Sequence, residues 1–330
     1  MGKTPVMADV AREAGVSHQT VSRVLNGHPN VRGETRTRVM TAIDKLGYRR
    51  NLTARALATR RTRTLGVVSF DTTLYGPAST VYGISQAARQ AGYFVSIVSL
   101  KSIDREHVRD AMAYLGDQGV DGIVVVAPQR AASGVLADLP RGVPIVAVQG
   151  GGADGVPLVR VDHFEGGRAA TRHLLELGHE TVWHVRGPAG WIEAEAREEG
   201  WRAALSMAGR PIPEPLQGDW SPAAGYRAGR ILAAEGASAV FVSNDQMALG
   251  LLRAFTELGV DVPGRVSIVG FDDIPESEYF SPPLTTIRQD FAEVGRGSIE
   301  QLLRRIEGVE TLPPLVVPPV LVIRGSTSGL

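Results

Sequence analysis

The chain contains no cysteine. That excludes a disulfide framework, a cysteine-ligated zinc site and a thiol nucleophile. It has no run of about eighteen apolar residues, so no membrane-spanning helix is expected. The start, MGKTPVMADVAREAG, lacks the apolar stretch of a signal peptide, and Val6 spoils a myristoylation signal. A cytoplasmic protein is expected. Catalytic signatures are missing as well: there is no P-loop, no HExxH, no GxSxG and no GxGxxG after a strand. The seven histidines show no zinc-ligand spacing. No enzyme activity, metal or cofactor is expected. Net charge is absent too, because 35 Lys and Arg offset 35 Asp and Glu.

That zero hides a segregation. Residues 1–64 carry 13 basic and four acidic side chains, a net +9, and the rest carry 22 and 31, a net −9. A small basic head on a large acidic body points to a polyanion-binding module beside a domain with another task. At 330 residues and 43% hydrophobic, the chain exceeds what one core serves, so two or more domains are expected.

The head reads as three helices. Thr4-Pro5 is a helix start, and Met7, Val10, Ala11 and Ala14 follow at helical spacing. Gly15 suits a left-handed turn, and Ser17 caps a second helix reaching about Asn26. In that helix Val21, Val24 and Leu25 point inward, while His18, Gln19, Ser22 and Arg23 share the outer face. A third helix spans about 33–46, with Val39, Ile43 and Leu46 inward and Gly47 as its stop. Helix, tight turn and a short helix with outward Gln and Arg make a helix-turn-helix, whose second helix enters the DNA major groove. Gln can pair adenine and Arg can pair guanine in bidentate fashion. A generic three-helix bundle explains the inward residues but not these polar readers. Asn51–Thr59 is a short, weakly apolar helix that cannot hold alone in water, so it should order only with a partner.

From Leu65 onward, short β-branched runs alternate with helical stretches. This argues for parallel sheets covered by helices. The strands fall into two groups, which implies two α/β lobes with a cleft between them. Ligands in such folds sit at the carboxyl ends of strands. Ser69, Asp71, Gln149, Asp162, Arg186, Asn244, Asp245, Asp272, Asp273, Gln289 and Asp290 lie at those ends. Carboxylates, amides and a few Arg with no nucleophile suit a polyhydroxyl ligand. Trp191 and Trp220 offer flat faces to a sugar ring. Adjacent strand residues point to opposite faces, so Asp272 and Asp273 should not serve one site.

Several stretches resemble the lactose repressor family of bacterial transcription regulators. They are AREAGVSHQTVSRVLN from Ala11, TRTRVMTAIDKLGYRRN, ARALA, GDWS from Gly218, NDQMALG from Asn244, GFDD from Gly270 and PLTTIRQDF from Pro283. The resemblance covers essentially the whole chain and implies a sequence-specific repressor controlled by a small-molecule effector. Its domains would be a helix-turn-helix head (1–50), a hinge helix and linker (51–64) and a periplasmic-binding-protein-like body (65–330). Within the body it implies an N-lobe of 65–160 plus 292–318 and a C-lobe of 161–291 plus 319–330.

The resemblance makes His18, Gln19 and Arg23 base readers, and places Ser17, Thr20, Ser22, Asn26 and Arg32 near phosphates. Asn51 joins the DNA contacts, and Leu57 matches a wedge that opens a central base step in the minor groove. The partners implied are double-stranded, near-palindromic operator DNA, a second copy of the chain in a homodimer, and a sugar. Effector contacts fall on Pro77, Gln149, Arg197, Trp220, Asn244, Asp272, Gln289 and Phe291. Glu193 and Gln149 depart from the galactoside-responsive pattern, whereas the GDW and NDQMALG matches favour a sugar or glycoside acting as inducer. The alternatives are a purine-type corepressor and a transport-type sugar-binding protein. No leucine heptads follow the last strand, so a dimer is expected rather than a coiled-coil tetramer.

Overall fold

A computed structural model describes residues 5–49, 61–100, 105–126, 129–130, 142–150, 155–309 and 312–329. The chain divides into two compact units, Met1–Thr62 and Arg63–Leu330.

The first unit holds helices α1 (Met7–Ala14), α2 (His18–Leu25) and α3 (Gly33–Leu46). Helix α1 begins after Val6, not at Thr4-Pro5 as its sequence suggests. The Asp9 carboxylate reaches back to accept the Val6 N–H at 3.0 Å, which satisfies the end of the helix from three residues ahead. Thr4 lies outside the described residues. Gly15 takes the left-handed conformation at φ 64°, and its turn is closed by hydrogen bonds back to α1. The Ser17 hydroxyl accepts the Thr20 N–H at 3.1 Å and starts α2. Val10, Ala11, Ala14, Val21, Val24, Val39, Ala42 and Tyr48 form the core. Leu25, Ile43 and Leu46 are only partly buried at its rim, because Val39 and Ala42 set the inward stripe of α3. The expected hinge helix, with Asn51 and Leu57, lies outside the described residues.

The second unit contains two sheets. The first comprises β1 (Thr64–Phe70), β2 (Phe94–Leu100), β3 (Gly122–Val126), β4 (Ile145–Val148), β5 (Leu158–Val161) and β11 (Leu315–Val317). All its pairings are parallel, in the order β11-β5-β4-β3-β1-β2. The second comprises β6 (Trp183–Arg186), β7 (Leu216–Gln217), β8 (Ala239–Val242), β9 (Ser267–Asp272), β10 (Thr285–Arg288) and β12 (Val320–Val322). Its order is β12-β10-β9-β8-β6-β7, and only β12 runs antiparallel. Strands β3, β4 and β8 are buried at every position, as both-sided cover by helices requires of apolar runs.

Helices α4 (Tyr75–Gln90) and α5 (Arg105–Asp117) flank the first sheet, and α6 (His163–Glu176), α7 (Ile192–Met207), α8 (Pro222–Glu235) and α9 (Asp245–Glu257) flank the second. Helix α10 (Phe291–Ile306) follows β10 of the second sheet but packs on α4 and on β3, β4 and β5 of the first. The chain therefore passes between lobes after Val161, after Arg288 and between Val317 and Val320. Strands β5 (LVRV), β7 (LQ) and β10 (TTIR) carry no unbroken apolar run to announce them, and β11 is three residues between prolines. Among the described residues no helix is long and apolar enough to cross a membrane.

Candidate functional site

The first unit presents an exposed polar helix face. Helix α2 buries Val21 and Val24 and turns His18, Gln19 and Arg23 to solvent, with Ser22 and Thr20 half-exposed beside them. The sequence of α2 contains no acidic residue. Two of the acids elsewhere in the unit are paired: Asp9 with Arg12 at 3.2 Å and Glu13 with Lys45 at 2.6 Å. Positive potential on the reading face is thus left uncancelled. Ser17 and Thr20 share a hydroxyl contact of 2.9 Å at the helix start, where N–H groups favour a phosphate oxygen. Asn26 ends α2 and Arg32 precedes α3, both exposed.

The second unit has a cleft of about 260 Å³ between its lobes. One wall is Thr73–Pro77, the loop after β1 and the first turn of α4. The other is Trp191, Glu193, Arg197, Asp219–Pro222, Asn244, Gln246 and Asp272, at the carboxyl ends of second-sheet strands and the start of α7. Of the effector contacts that the sequence suggested, Pro77, Arg197, Trp220, Asn244 and Asp272 line this cleft. The other three do not. Gln149 stands behind it, its Oε1 accepting the Val161 N–H at 3.1 Å. Gln289 also stands behind, donating to Asp272 Oδ1 at 2.6 Å. Phe291 lines a separate groove between α4 and α10 and reaches the cleft only through Tyr75, at 5.8 Å between ring centroids.

Arg197 is the hub. Gly167 and Gly200 let α6 and α7 meet backbone to backbone: a Cβ on Gly167 would lie 2.2 Å from the Arg197 carbonyl, and one on Gly200 2.0 Å from that of Phe164. This close crossing seats the Arg197 guanidinium inside the fold. It donates to the Ser243 carbonyl, donates from Nε to His163 Nδ1 at 3.3 Å, and lies 3.5 Å from Asp272 Oδ1. Its Cζ sits 3.7 Å above the Phe271 ring, a cation–π contact in a desolvated place.

Because Arg197 donates to Nδ1 of His163, the histidine proton must sit on Nε2, facing Gln149 Oε1 at 3.3 Å and Glu193 Oε1 at 3.8 Å. Burial, and then the charges of Arg197 and Arg160, hold His163 well below the usual histidine range, so the ring is neutral. Burial pushes the Glu193 carboxyl up to about 7, with Arg197 opposing and Asp272 reinforcing the rise. Burial likewise lifts Asp272 to about 6, against the pull of Arg197 and the Gln289 hydrogen bond.

Aromatic and amide groups complete the wall. Trp191 and Trp220 meet edge to face at 5.6 Å, and both are almost wholly buried. Asn244 caps α9 by accepting the Met247 N–H at 2.9 Å and donates to the Trp220 carbonyl at 3.1 Å. Many strand-end carboxylates serve the chain itself rather than a ligand. Asp162 and Asp290 cap α6 and α10. Asp245 accepts from Thr286 at 2.6 Å and from the Ile274 N–H at 2.9 Å. Asp273 points away from Asp272 and pairs with Arg288 and Arg324. The sequence pattern did not single out Thr73, Leu74, Tyr75, Asp219, Ser221 or Gln246 as cleft residues. Their one signal is position, in loops that follow β1 and β7 or begin α9.

Comparison with known proteins matches both units to known domains. Residues 6–51 match the bacterial regulatory proteins of the lacI family, and residues 171–327 match a periplasmic binding protein-like domain. The lactose operon repressor of Escherichia coli K12 is 33% identical over 329 residues, covering 98% of this chain and 91% of that protein. The crystal structure of the lac repressor dimer bound to operator and the anti-inducer ONPF aligns with a TM-score of 0.86 at 33% identity, over 99% of this chain and 100% of that one. A complex of the transcriptional regulator CelR with cellobiose aligns at 0.71 with 34% identity, over 98% of this chain and 99% of that one. A reading helix and an Arg-centred interlobe cleft on one polypeptide, with identity sustained along its length, place this chain in the lacI family of bacterial regulatory proteins.

Proposed function

We propose that this chain is a transcriptional repressor whose affinity for operator DNA is set by a sugar or glycoside bound in the cleft. The observation that carries the reading is the pairing of an acid-free, exposed α2 with the Arg197–Asp272–Asn244 cleft on one chain. His18, Gln19 and Arg23 read base edges in the major groove, and Ser17, Thr20, Ser22, Asn26 and Arg32 hold phosphates. Asn51 and Leu57 belong to a hinge segment, 51–64, that acts in the minor groove. A homodimer sets two reading helices about one helical turn apart on a near-palindromic site. The protein works in the cytoplasm as a regulator, without catalysis.

In the cleft, Asp272 accepts from sugar hydroxyls, Arg197 and Asn244 donate, and the Trp220 ring covers an apolar sugar face. Closure of the lobes on the sugar favours the state with lower operator affinity, and coupling of about 1–3 kcal/mol suffices to release DNA. The test is operator binding by fluorescence anisotropy with and without a panel of neutral sugars. A sugar that binds the protein and weakens operator binding supports the reading. Unchanged operator affinity at saturating sugar overturns it.

A further inference from the structure

We infer that Glu193 makes the cleft select an uncharged sugar over its phosphorylated or uronic-acid counterpart. The inference rests on the sugar-effector reading above and adds the charge class of the ligand. Among the described residues, Arg197 is the only cation lining the cleft. Its guanidinium is already held by the Ser243 carbonyl, the His163 ring, Asp272 and the face of Phe271. Little of its charge is left to hold a phosphate or carboxylate brought by a ligand.

Glu193 is the opposite case. Its side chain is 12% exposed and lines the cleft, and its one basic neighbour within 4 Å among the described residues is His163 Nε2 at 3.8 Å, beyond hydrogen-bond range. A carboxylate so placed needs donors from outside the protein, because a buried acceptor without a partner is costly. Two vicinal hydroxyls supply them, each donating to one carboxylate oxygen. An anionic group at that point supplies none and meets the Glu193 carboxylate, with Asp219 on the same wall and Asp272 already opposing Arg197. The low local dielectric strengthens that repulsion. At the head of α9 the Met247 N–H is already taken by Asn244.

The experiment is titration calorimetry on the full chain at pH 8 with matched sets. These are glucose, galactose and mannose with their 6-phosphates and uronates, and maltose, lactose and cellobiose with their 6′-phosphates. At least one neutral member should bind, at least tenfold tighter than its charged counterparts. In Glu193→Gln, whose fold is checked by tryptophan fluorescence, that ratio should fall toward one. Equal or tighter binding of a phosphate or uronate overturns the inference, as does undiminished discrimination in Glu193→Gln or the absence of binding by every neutral sugar. Hypoxanthine and guanine are titrated alongside. If they bind and no sugar does, the sugar-effector reading itself falls. If charged sugars bind well, that reading stands and only the role of Glu193 is lost.

Discussion

Replacing Glu193 by Gln should stabilise the protein, and the gain should grow with pH. Glutamine keeps the shape of the protonated acid and carries no charge. In the folded chain the Glu193 carboxyl holds its proton up to about 7, against an ordinary value of 4.5. The folded state therefore binds more proton than the unfolded state between those values, and stability is lost as pH rises through that window. At ~1.36 kcal/mol per pH unit, the full loss is bounded near 3 kcal/mol. Relaxation around the cleft lowers that bound, so Glu193→Gln should gain about 2 kcal/mol on the wild type between pH 5 and pH 8. That corresponds to roughly 4–8 °C in Tm for a unit of this size.

His163 and His184 work in the other direction. Burial lowers both, His184 to about 4, so their contribution rises with pH up to about the ordinary 6.5 and partly masks the glutamate in the wild-type profile. Taking the difference between variant and wild type removes them. All four tryptophans, at positions 183, 191, 201 and 220, lie in the lobe that holds Glu193, so fluorescence-detected melting reports the right region. A difference that stays flat from pH 5 to pH 8, or a wild type more stable than the variant at pH 8, would refute the argument.

Two further outcomes are expected. A methyl group at Gly200 would meet the Phe164 carbonyl at 2.0 Å, so Gly200→Ala should part α6 from α7 and cost about 1–3 kcal/mol, with effector affinity falling as Arg197 moves; thermal melting and calorimetry check both effects. Arg23→Ala should lose roughly 1–3 kcal/mol of discrimination between the chosen operator and a variant duplex, measured by competition binding, while equal loss on specific and random DNA would show that Arg23 only touches phosphate.

Much of this architecture was legible in the residues because it rests on local rules. Gly15, Ser17 and Gly47 mark the turn, the cap and the stop of the head helices, and they hold those positions in space. Strands β1, β3, β4 and β8 announce themselves as apolar runs because helices cover both their faces. What escaped depends on partners distant in sequence. Strand β11 exists through its pairing with β5, more than a hundred residues earlier. The richness of strand-end carboxylates overstated the ligand site, since whether an aspartate faces a sugar or caps a helix depends on what lies three residues on. Gln149, Gln289 and Phe291 carry the expected residue types, yet a hydrogen bond or a ring contact inside the fold claims each of them.

The passage between Val317 and Val320 consists of Pro318 and Pro319, joining one sheet to the other. Each ring fixes φ near −65°, which halves the torsions available to that segment. Three Cα steps span at most about 11 Å. The segment is therefore a short strut, stiff along its length and free mainly to pivot at its ends. Mechanically, the two lobes can swing about it but cannot slide apart. A ligand that draws them together does so along an arc that the covalent chain has already laid down.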